Sequence, residues 1–344
     1  MDKVRFGIVG AGNIAPFHIH SIRACKNAEV VAIADTVEEK AKKAGEEFKI
    51  DAYGDPREMF NRKDIDVVTL CVPSGLHMQV AIDAMEAGKH VISEKPIEVT
   101  LEKIDKMIEV SKKTKKFISC VFQSRFFENA KRIRDDVTAG KFGKLILGDM
   151  YNKWYRSPEY YKSAGWRATW ELDGGGALMN QAVHGVDLLQ YYMGEPVSVN
   201  AYCETLSHDI KVEDTAVAVL RFKSGALGVI EGTTNVYPGS ARKIEIQGTK
   251  GTAVLEDYNT LIKYEFEGQG DTSAKYNEAK VKGGSADPTA MSRETHAKQF
   301  AAYIEALMAG KEPPIGAQEA RKSVEIILAI YKSAKEKREV RLPL

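Results

Sequence analysis

Asn180 and His184 are the residues whose types and spacing most strongly indicate chemistry in this chain. They follow three consecutive glycines at 174–176 and lie in a helical pattern at 177–189, with Asp187 three positions further on. Residues three or four positions apart share one face of a helix, so these polar side chains should be neighbours. The glycines would let the backbone pass close to a bulky group. We interpret the stretch as part of a binding site; the alternative is a buried histidine that a neighbouring side chain satisfies.

A second motif lies near the start of the sequence and reads Gly10-Ala11-Gly12-Asn13-Ile14-Ala15. It stands between an apolar run at 4–9 and a helical pattern, as a dinucleotide-binding loop does. Gly10 permits the tight turn, and Gly12 lets the backbone approach a pyrophosphate at the N-terminus of the helix. We predict that the dinucleotide is bound by Gly10, Gly12, Asn13 and Ile14.

Asp35 predicts which dinucleotide is bound. It follows the second predicted strand, at 30–34, and stands 25 positions after Gly10. A carboxylate at this place accepts hydrogen bonds from the ribose hydroxyls and repels a 2′-phosphate, which favours NAD over NADP. The alternative is that Asp35 caps the helix that begins near Glu38.

Strands and helices alternate as far as residue 121, which predicts a doubly wound parallel sheet. Ligands of such sheets bind beyond the carboxyl ends of the strands. The side chains predicted at this edge, in contact with the cofactor, are Asp35, Pro73, Ser74, His77, Glu94, Lys95 and Gln123.

Lys95 follows an apolar strand at 90–93 and lies between Glu94 and Pro96. Its ammonium group should be held at the edge of the sheet, although a surface lysine beside a turn is the alternative. A desolvated lysine has a lowered pKa and can donate to a hydroxyl or carbonyl and polarise it. We therefore predict that Lys95 contacts substrate as well as cofactor.

The pattern changes after residue 122. A helix at 126–139 and a strand at 145–152 precede six strands with the alternation of an antiparallel sheet, at 197–206, 213–222, 226–236, 241–247, 252–256 and 260–266. A loop is predicted at 268–289 and two closing helices at 294–309 and 317–337. The predicted fold is an α/β Rossmann domain, 1–122, followed by an α+β domain, 123–344, with a large, mostly antiparallel sheet.

All three tryptophans fall within 154–170, interleaved with tyrosines and arginines. Aromatic faces stack on sugar rings or a nucleobase, and arginines pair with phosphate or carboxylate groups. A subunit interface or a small separate core would use the same residue types. The candidate substrate-binding residues of this segment are Arg156, Tyr160, Trp166 and Arg167.

The composition argues against several other classes of protein. The 344 residues include 49 Lys and Arg against 48 Asp and Glu, so no net field favours nucleic acid or a membrane. The four cysteines are scattered, without a Cys-x-x-Cys motif, so we expect neither disulfides nor a metal site. The first strand leaves no room for a signal peptide, and we expect a cytoplasmic protein.

Three motifs in order, Gly10-Ala11-Gly12, Glu94-Lys95-Pro96 and the stretch 174–189, resemble those of the glucose–fructose oxidoreductase / inositol 2-dehydrogenase (Gfo/Idh/MocA) family. The resemblance covers essentially the whole chain. It implies a Rossmann domain, a sheet domain that binds substrate and often forms a dimer or tetramer interface, and a site between the nicotinamide and the helix carrying His184. It also implies that Lys95 and His184 are the catalytic residues.

One position departs from the family pattern. Family members commonly carry an aspartate four residues before the histidine, where this chain has Asn180. An amide cannot accept the proton, so a relay through this position is not expected. With Arg156, Tyr160 and Tyr161 upstream, the asparagine is similar to that of the UDP-N-acetylglucosaminuronate 3-dehydrogenases within the family.

We therefore predict an NAD-dependent dehydrogenase, a homodimer or homotetramer, that oxidises a secondary hydroxyl, with C3 as the candidate carbon, of a sugar, glycoside or nucleotide sugar. His184 would take the hydroxyl proton, Lys95 would hydrogen-bond the same oxygen, and Asn180 would orient the substrate or His184. The alternatives are a glycoside-cleaving enzyme that starts with C3 oxidation, an inositol dehydrogenase, and a dinucleotide-binding sensor without turnover.

Overall fold

The structure is a computed structural model that describes residues 3–277 and 293–344. These residues form two compact units, 3–123 with 293–321 and 124–277 with 322–344. The boundary at 122/123 stays a prediction, and the structure adds that the segment 293–321 packs with the first unit. Within the described ranges, no helix is long and apolar enough to cross a membrane.

The sheet of the first unit is parallel throughout. Its strands are β1 (Val4–Val9), β2 (Ala28–Ala34), β3 (Asp51–Tyr53), β4 (Val67–Leu70), β5 (His90–Ser93) and β6 (Ile118–Cys120). The connecting helices are α1 (Ala15–Arg23), α2 (Glu38–Phe48), α3 (Pro56–Phe60), α4 (His77–Glu86) and α5 (Leu101–Thr114). The strand order β3-β2-β1-β4-β5-β6 is that of dinucleotide-binding sheets.

Burial on both faces explains the apolar runs of this sheet. Phe6 and Ile8 of β1 and Ile92 of β5 are fully buried, as expected where helices cover both sides of a parallel sheet. The covering helices are amphipathic: α5 buries residues at a spacing of three, Ile104, Met107 and Val110. Its N-terminus is capped by Thr100, whose hydroxyl accepts a hydrogen bond from the Lys103 N–H.

The sheet of the second unit has eight strands. They are β7 (Leu145–Lys153), β8 (Pro196–Glu204), β9 (Thr215–Phe222), β10 (Leu227–Thr233), β11 (Lys243–Gly248), β12 (Gly251–Glu256), β13 (Thr260–Phe266) and β14 (Val340–Arg341). The order is β13-β12-β11-β7-β10-β9-β8-β14, with β7 and β10 parallel and the other pairs antiparallel. The helices are α6 (Glu128–Thr138), α7 (Pro158–Lys162) and α8 (Val183–Met193).

One face of this sheet is covered by α8. Along β9, Ala216, Ala218 and Leu220 are buried while Val217 and Val219 alternate with them and are exposed. This period of two indicates one covered and one open face. Close approach of the helix is possible because β7 carries a glycine: a Cβ at Gly148 would lie 2.6 Å from the Met193 side chain. The sheet therefore sets the position of α8.

The segment before α8 is not the regular helix that the sequence predicted. Residues Ala177–Ala182 form a π-helix, which is continued by α8. A π-helical turn contains more residues than an α-helical turn, so the prediction of one regular helix across 177–189 was wrong for 177–182. His184 and Asp187 both lie in α8, three positions apart, as predicted.

The two remaining helices are α9 (Arg293–Met308) and α10 (Ala317–Glu336), close to their predicted ranges. Phe300 and Tyr303 of α9 belong to the core of the first unit, and Phe300 meets Phe6 edge to face at 6.1 Å. The predicted fold class is confirmed. Of the loop predicted at 268–289, residues 278–289 lie outside the described residues, and the rest contains a 3-10 turn at Ser273–Lys275.

Candidate active site

The glycine loop between β1 and α1 has the geometry of a dinucleotide cradle. Gly10 has φ 98°, and a Cβ there would lie 2.5 Å from the Cys71 carbonyl oxygen, so no other residue fits. A Cβ at Gly12, in contrast, would meet nothing within 4 Å. Asn13 and Ile14 complete the loop, and Ile14 is the residue before α1. The open space at Gly12 is what close approach of a pyrophosphate requires.

Asp35 is held at the end of β2 beside this loop. Its Oδ2 accepts a hydrogen bond from the Ala11 N–H at 2.8 Å, and its Oδ1 accepts one from the Val37 N–H at 2.8 Å. The residue at the N-cap of α2 is Val37, so Asp35 is not the cap of that helix. The carboxylate instead ties the glycine loop to the neighbouring strand end, where it can also accept from a ribose hydroxyl.

The next predicted cofactor residues lie after β4. Pro73 and Ser74 begin a 3-10 turn that leads into α4, and Ser74 is buried. His77, the first residue of α4, is fully buried and its two ring nitrogens lie 3.0 Å from the carbonyl oxygens of Val72 and Pro96. Burial lowers its pKa. The ring thus connects the ends of two neighbouring loops, which is a positioning role.

Glu94 makes an ion pair inside the first unit. Its carboxylate lies 2.8 Å from His18 Nε2, and His18 Nδ1 lies 2.7 Å from Thr69 Oγ1. Burial favours the neutral acid, but the hydrogen bond and charge of His18, together with the charges of His296 and Lys95, outweigh it and lower the pKa of Glu94 to about 2. Burial likewise opposes charge on His18, yet Cys71 and Glu94 raise its pKa. Glu94 therefore fixes the strand end from which Lys95 projects.

Lys95 and Gln123 complete the carboxyl edge of the sheet. The Lys95 N–H donates to Glu94 Oε2 at 3.1 Å, which joins the lysine backbone to the His18 pair. Gln123 follows β6 and is 9% exposed, and its Oε1 finds no hydrogen-bond partner among the described residues. A buried acceptor of this kind suits a ligand amide or hydroxyl.

In the second unit, two of the three glycines, Gly175 and Gly176, lie against protein atoms. A Cβ at Gly175 would be 2.2 Å from the Tyr331 hydroxyl, and one at Gly176 would be 2.0 Å from the Glu213 carbonyl oxygen. The bulky neighbour inferred from the sequence is thus the chain itself. The Glu213 carboxylate accepts from the N–H groups of Gly176 and Leu178 and from Tyr331. Burial raises its pKa to about 7.

A hydrogen-bond network joins most of the predicted substrate residues. Gln181 is its centre: its Nε2 donates to the Tyr160 hydroxyl at 2.7 Å and to Asn180 Oδ1 at 2.6 Å, and its Oε1 accepts from Arg156 Nε at 3.1 Å. Asn180 Nδ2 also donates to Asp173. The structure therefore brings Arg156, Tyr160 and Asn180 together.

Arg167 and Trp166 extend this network at its edge. Arg167 Nη1 donates to the Tyr160 hydroxyl at 2.7 Å, and its guanidinium lies 4.7 Å from the Trp166 ring centroid. Burial raises the pKa of Tyr160, so its hydroxyl stays neutral near pH 7. Of the interactions described for Trp166, only this stacking on Arg167 connects it to the network.

His184 lies in the first turn of α8 and is 7% exposed. One turn later, the fully buried Asp187 pairs with Arg125 through two hydrogen bonds of 2.7 and 2.6 Å. This bidentate contact fixes the rotation of α8 about its axis. The Tyr258 ring meets the His184 imidazole edge to face, 6.5 Å between centroids.

Several of these residues were missed by the sequence analysis. His18 and Glu213 are isolated polar residues in their segments, and nothing local marks their partners. Gln181 follows Asn180 directly, so its place beside the motif could have identified it. Among residues 3–277 and 293–344, no group of three or more His, Cys, Asp or Glu could hold a metal ion.

Comparison with known proteins agrees with this geometry. The oxidoreductase family model with an NAD-binding Rossmann fold matches residues 4–122, and the GFO/IDH/MocA C-terminal domain model matches 130–254. Myo-inositol 2-dehydrogenase of Thermotoga maritima is 27% identical over 347 residues, 98% of each chain. D-glucoside 3-dehydrogenase of Escherichia coli is 28% identical over 277 residues, 74% of this chain and 77% of that protein.

A solved structure is more similar still. The WlbA dehydrogenase from Bordetella pertussis, in complex with NADH and UDP-GlcNAcA, is 33% identical with a TM-score of 0.88 and covers 99% of each chain. Fold and loops define an NAD-binding oxidoreductase. The chain belongs to the Gfo/Idh/MocA family, and the predictions of an enzyme and of NAD as its cofactor are confirmed. The roles of individual residues stay predictions.

Proposed function

We propose that this enzyme oxidises a secondary hydroxyl of a sugar-type substrate. The observation that carries the proposal is the network around Gln181, which gathers the side chains of Arg156, Tyr160 and Asn180 just before the turn that carries His184. Amide, phenol and guanidinium groups recognise polyhydroxylated and anionic molecules. An inert structural helix has no need for so many polar groups.

The proposed chemistry uses Lys95 and His184 together with the cofactor. NAD, when bound, supplies the acceptor for the hydride that leaves the carbinol carbon. His184 accepts the hydroxyl proton as general base, because an imidazole is the side chain whose ordinary pKa lies near neutrality. Lys95 donates a hydrogen bond to the same oxygen and stabilises its developing negative charge.

The relatives support a sugar and suggest the carbon. One is named D-glucoside 3-dehydrogenase and another was solved with a nucleotide sugar acid, UDP-GlcNAcA. We therefore propose C3 of a pyranose ring, in a free sugar, a glycoside or a nucleotide sugar. Myo-inositol, a ring with only secondary hydroxyls, is the second candidate because an inositol 2-dehydrogenase matches almost the full chain.

The test is a substrate screen that records NADH by its absorbance at 340 nm. UDP-sugars, free sugars, glycosides and inositols are each incubated with the enzyme and NAD. Stoichiometric NADH with a pyranose supports the proposal, and NADH only with inositols favours the second candidate. Cleavage of a glycoside without net NADH would show that oxidation is the first step of a lyase-like reaction. Tight NAD binding without any turnover would indicate a sensor.

We also propose that the open face of the second sheet forms a homodimer or homotetramer interface. It presents several apolar side chains to solvent, among them Tyr202 (77% exposed), Val219 (54%) and Leu227 (48%). Such patches on a sheet mark association surfaces. Light scattering of the wild type should give a mass that is a multiple of the 38.1 kDa chain mass. Val219→Glu should lower this measured mass. A monomeric wild-type protein would contradict the proposal.

A further inference from the structure

Arg242 is a buried cation that the sequence motifs do not identify. It directly precedes β11, and its side chain is 15% exposed. Its Nε lies 3.5 Å from an Asp257 carboxylate oxygen, at the limit of hydrogen-bonding distance. The guanidinium carbon lies 4.8 Å from the Trp154 ring centroid and 4.0 Å from that of Tyr258. Two aromatic rings therefore hold the planar group in place.

A second guanidinium lies on the same tryptophan. The Arg156 carbon is 4.6 Å from the Trp154 ring centroid, and Arg156 is 3% exposed. Its described hydrogen bonds include those to the neutral oxygens of Gln181 and Tyr155. Burial and, to a smaller extent, the charge of Arg242 lower the pKa of Arg156, while Asp257 pairs with Arg242. A further anion beside the two cations would stabilise both charges.

Three further polar side chains near Arg242 are buried without hydrogen bonds to the described residues. They are Asn152, 0% exposed, with both amide atoms unpartnered; Trp154, 6% exposed, with its Nε1; and Tyr258, 2% exposed, with its hydroxyl. Continuing the β7–β11 register beyond Tyr151↔Lys243 sets Asn152 opposite Arg242. A buried polar atom without a partner is costly, so such a group indicates a ligand or an ordered water.

The turn that carries Tyr258 is held in a disfavoured backbone conformation. Asp257 has φ 43° and Tyr258 has φ 67°, in the left-handed region that a bulky residue rarely adopts. This turn is what lays the Tyr258 ring under Arg242 and edge-on to His184. The turn joins β12 to β13, and positive φ values are usual in such short hairpin connections.

We propose that Arg242, together with Asn152, Trp154 and Tyr258, binds an anionic oxygen group of the substrate, a carboxylate or a phosphate. The proposal rests on the sugar-oxidising function proposed above and narrows its substrate to an acidic sugar derivative. These side chains present four kinds of donor: a guanidinium fork, an indole N–H, a phenol O–H and an amide NH₂. Their proximity to the His184 turn makes them part of the same substrate site.

The test measures binding by calorimetry to the full-length enzyme saturated with NADH, so it does not depend on turnover. Two pairs of probes differ by a carboxylate, D-glucuronate against D-glucose and UDP-glucuronate against UDP-glucose. A third pair differs by a phosphate, D-glucose 6-phosphate against D-glucose. We expect the acidic member of at least one pair to bind about 10-fold tighter or more, and the pair that responds identifies the anion.

Arg242→Gln should abolish this preference, and Tyr258→Phe, which keeps the ring under Arg242, should weaken it by a few-fold. The matched control is Arg132→Gln on α6, which removes an arginine stacked at 3.8 Å on the Tyr276 ring. This variant should keep the preference for acidic probes. If Arg242→Gln does not fold, Arg242→Lys keeps the charge without the fork and should retain only part of the preference.

Three outcomes would each overturn the proposal: equal binding of acidic and neutral probes by the wild type, no binding of any acidic probe, or a preference that survives in Arg242→Gln. Equal binding would mean that these groups hold only water. The proposed function fails separately, if no sugar yields NADH in the substrate screen. A neutral sugar that is oxidised without any preference for acids would sustain the function and refute the anion site.

Discussion

The two units treat their buried polar side chains in opposite ways. At the carboxyl edge of the first sheet, His18 pairs with Glu94, His77 contacts two backbone carbonyls, and Asp35 accepts two backbone N–H groups. In the second unit, buried donors of Trp154 and Tyr258 find no partner among the described residues. The first edge leaves one buried acceptor unused, Gln123 Oε1, whereas the second unit leaves several buried donors unused among the described residues.

Two glutamates show the same contrast through their pKa values. His18 lowers the pKa of Glu94 to about 2, while burial raises that of Glu213 to about 7. The carboxyl edge of the first sheet is thus rigid, as expected for a site that always binds the same dinucleotide. The second unit, where we propose the substrate site, keeps buried polar groups without partners among the described residues, and a specific ligand could bind them.

The largest expected effect tests whether the second unit supplies the base. His184→Asn keeps the size and one hydrogen bond but cannot accept the proton, so kcat should fall by roughly 10²–10⁴ while NAD binding stays normal. The loss of wild-type oxidation rate towards acid pH should vanish or shift in the variant. Steady-state kinetics across pH and fluorescence titration of NADH measure both.

His20→Asn, on the outer face of α1, is the matched control and should behave as wild type. If His184→Asn retains both its rate and the acidic limb, the base is another residue, with Lys95 or a tyrosine of 151–161 as the candidates.

The second expected effect asks whether the first unit contributes to the chemistry as well as to the binding of NAD. Lys95→Ala removes the donor to the reacting oxygen, so turnover should fall by on the order of 10² or more with cofactor affinity nearly unchanged. Lys106→Ala on the exposed face of α5 is the control. Activity within a few-fold of wild type would make Lys95 a structural or surface residue.

The contrast between the two units also explains which features of the structure could be predicted from the sequence. Gly10, Gly12 and Asp35 sit at fixed offsets on regular elements, and the strand order follows from the alternation of buried strands and helices. The fold class, the family and NAD were therefore predictable. His18 and Glu94, in contrast, are 76 residues apart in sequence, and no local pattern relates them.

The substrate side was less predictable because its features arise from irregular backbone. A π-helix replaced the regular helix expected at 177–182, and a left-handed turn positions Tyr258. The glycines before residue 177 mark a break in regular structure but do not specify a π-helix. The gap between the strands predicted at 252–256 and 260–266 likewise marks a turn but not its left-handed conformation. Arg242 becomes notable only once the register with β7 sets it opposite Asn152.

A third test uses the pH dependence of the free energy of unfolding to distinguish the contributions of Glu213 and Glu94. The native pKa of Glu213, about 7, lies above its ordinary 4.5. The stability that Glu213 contributes is therefore full below pH 4.5 and is lost as the pH rises through 7. The loss is on the order of 3 kcal/mol. Glu94 has the opposite sign: its contribution is present above pH 4.5 and is lost as the pH falls towards 2.

Urea unfolding of Glu213→Gln between pH 4.5 and 8 should therefore show a flatter profile than the wild type. Glu94→Gln should lower stability and should also change the slope near and above pH 6.5, because His18 loses the carboxylate that helps to raise its pKa. An unchanged slope in Glu213→Gln would show that another group titrates there.

The smallest expected effect concerns the cofactor side alone. A carboxylate at Asp35 should favour NAD over NADP by roughly 1–3 kcal/mol, because it accepts from the ribose and repels a 2′-phosphate. Asp35→Ala should narrow this gap but should also weaken NAD binding, since the Ala11 N–H loses its acceptor. Asp35→Asn separates the two effects: its amide oxygen can still hold the Ala11 N–H while the charge is gone. Fluorescence titration of both cofactors should thus show that Asp35→Asn gains NADP affinity with a smaller loss for NAD, and that Asp83→Asn on α4 changes neither. Comparable affinities for NAD and NADP in the wild type would contradict the prediction and would leave Asp35 as a brace for the glycine loop.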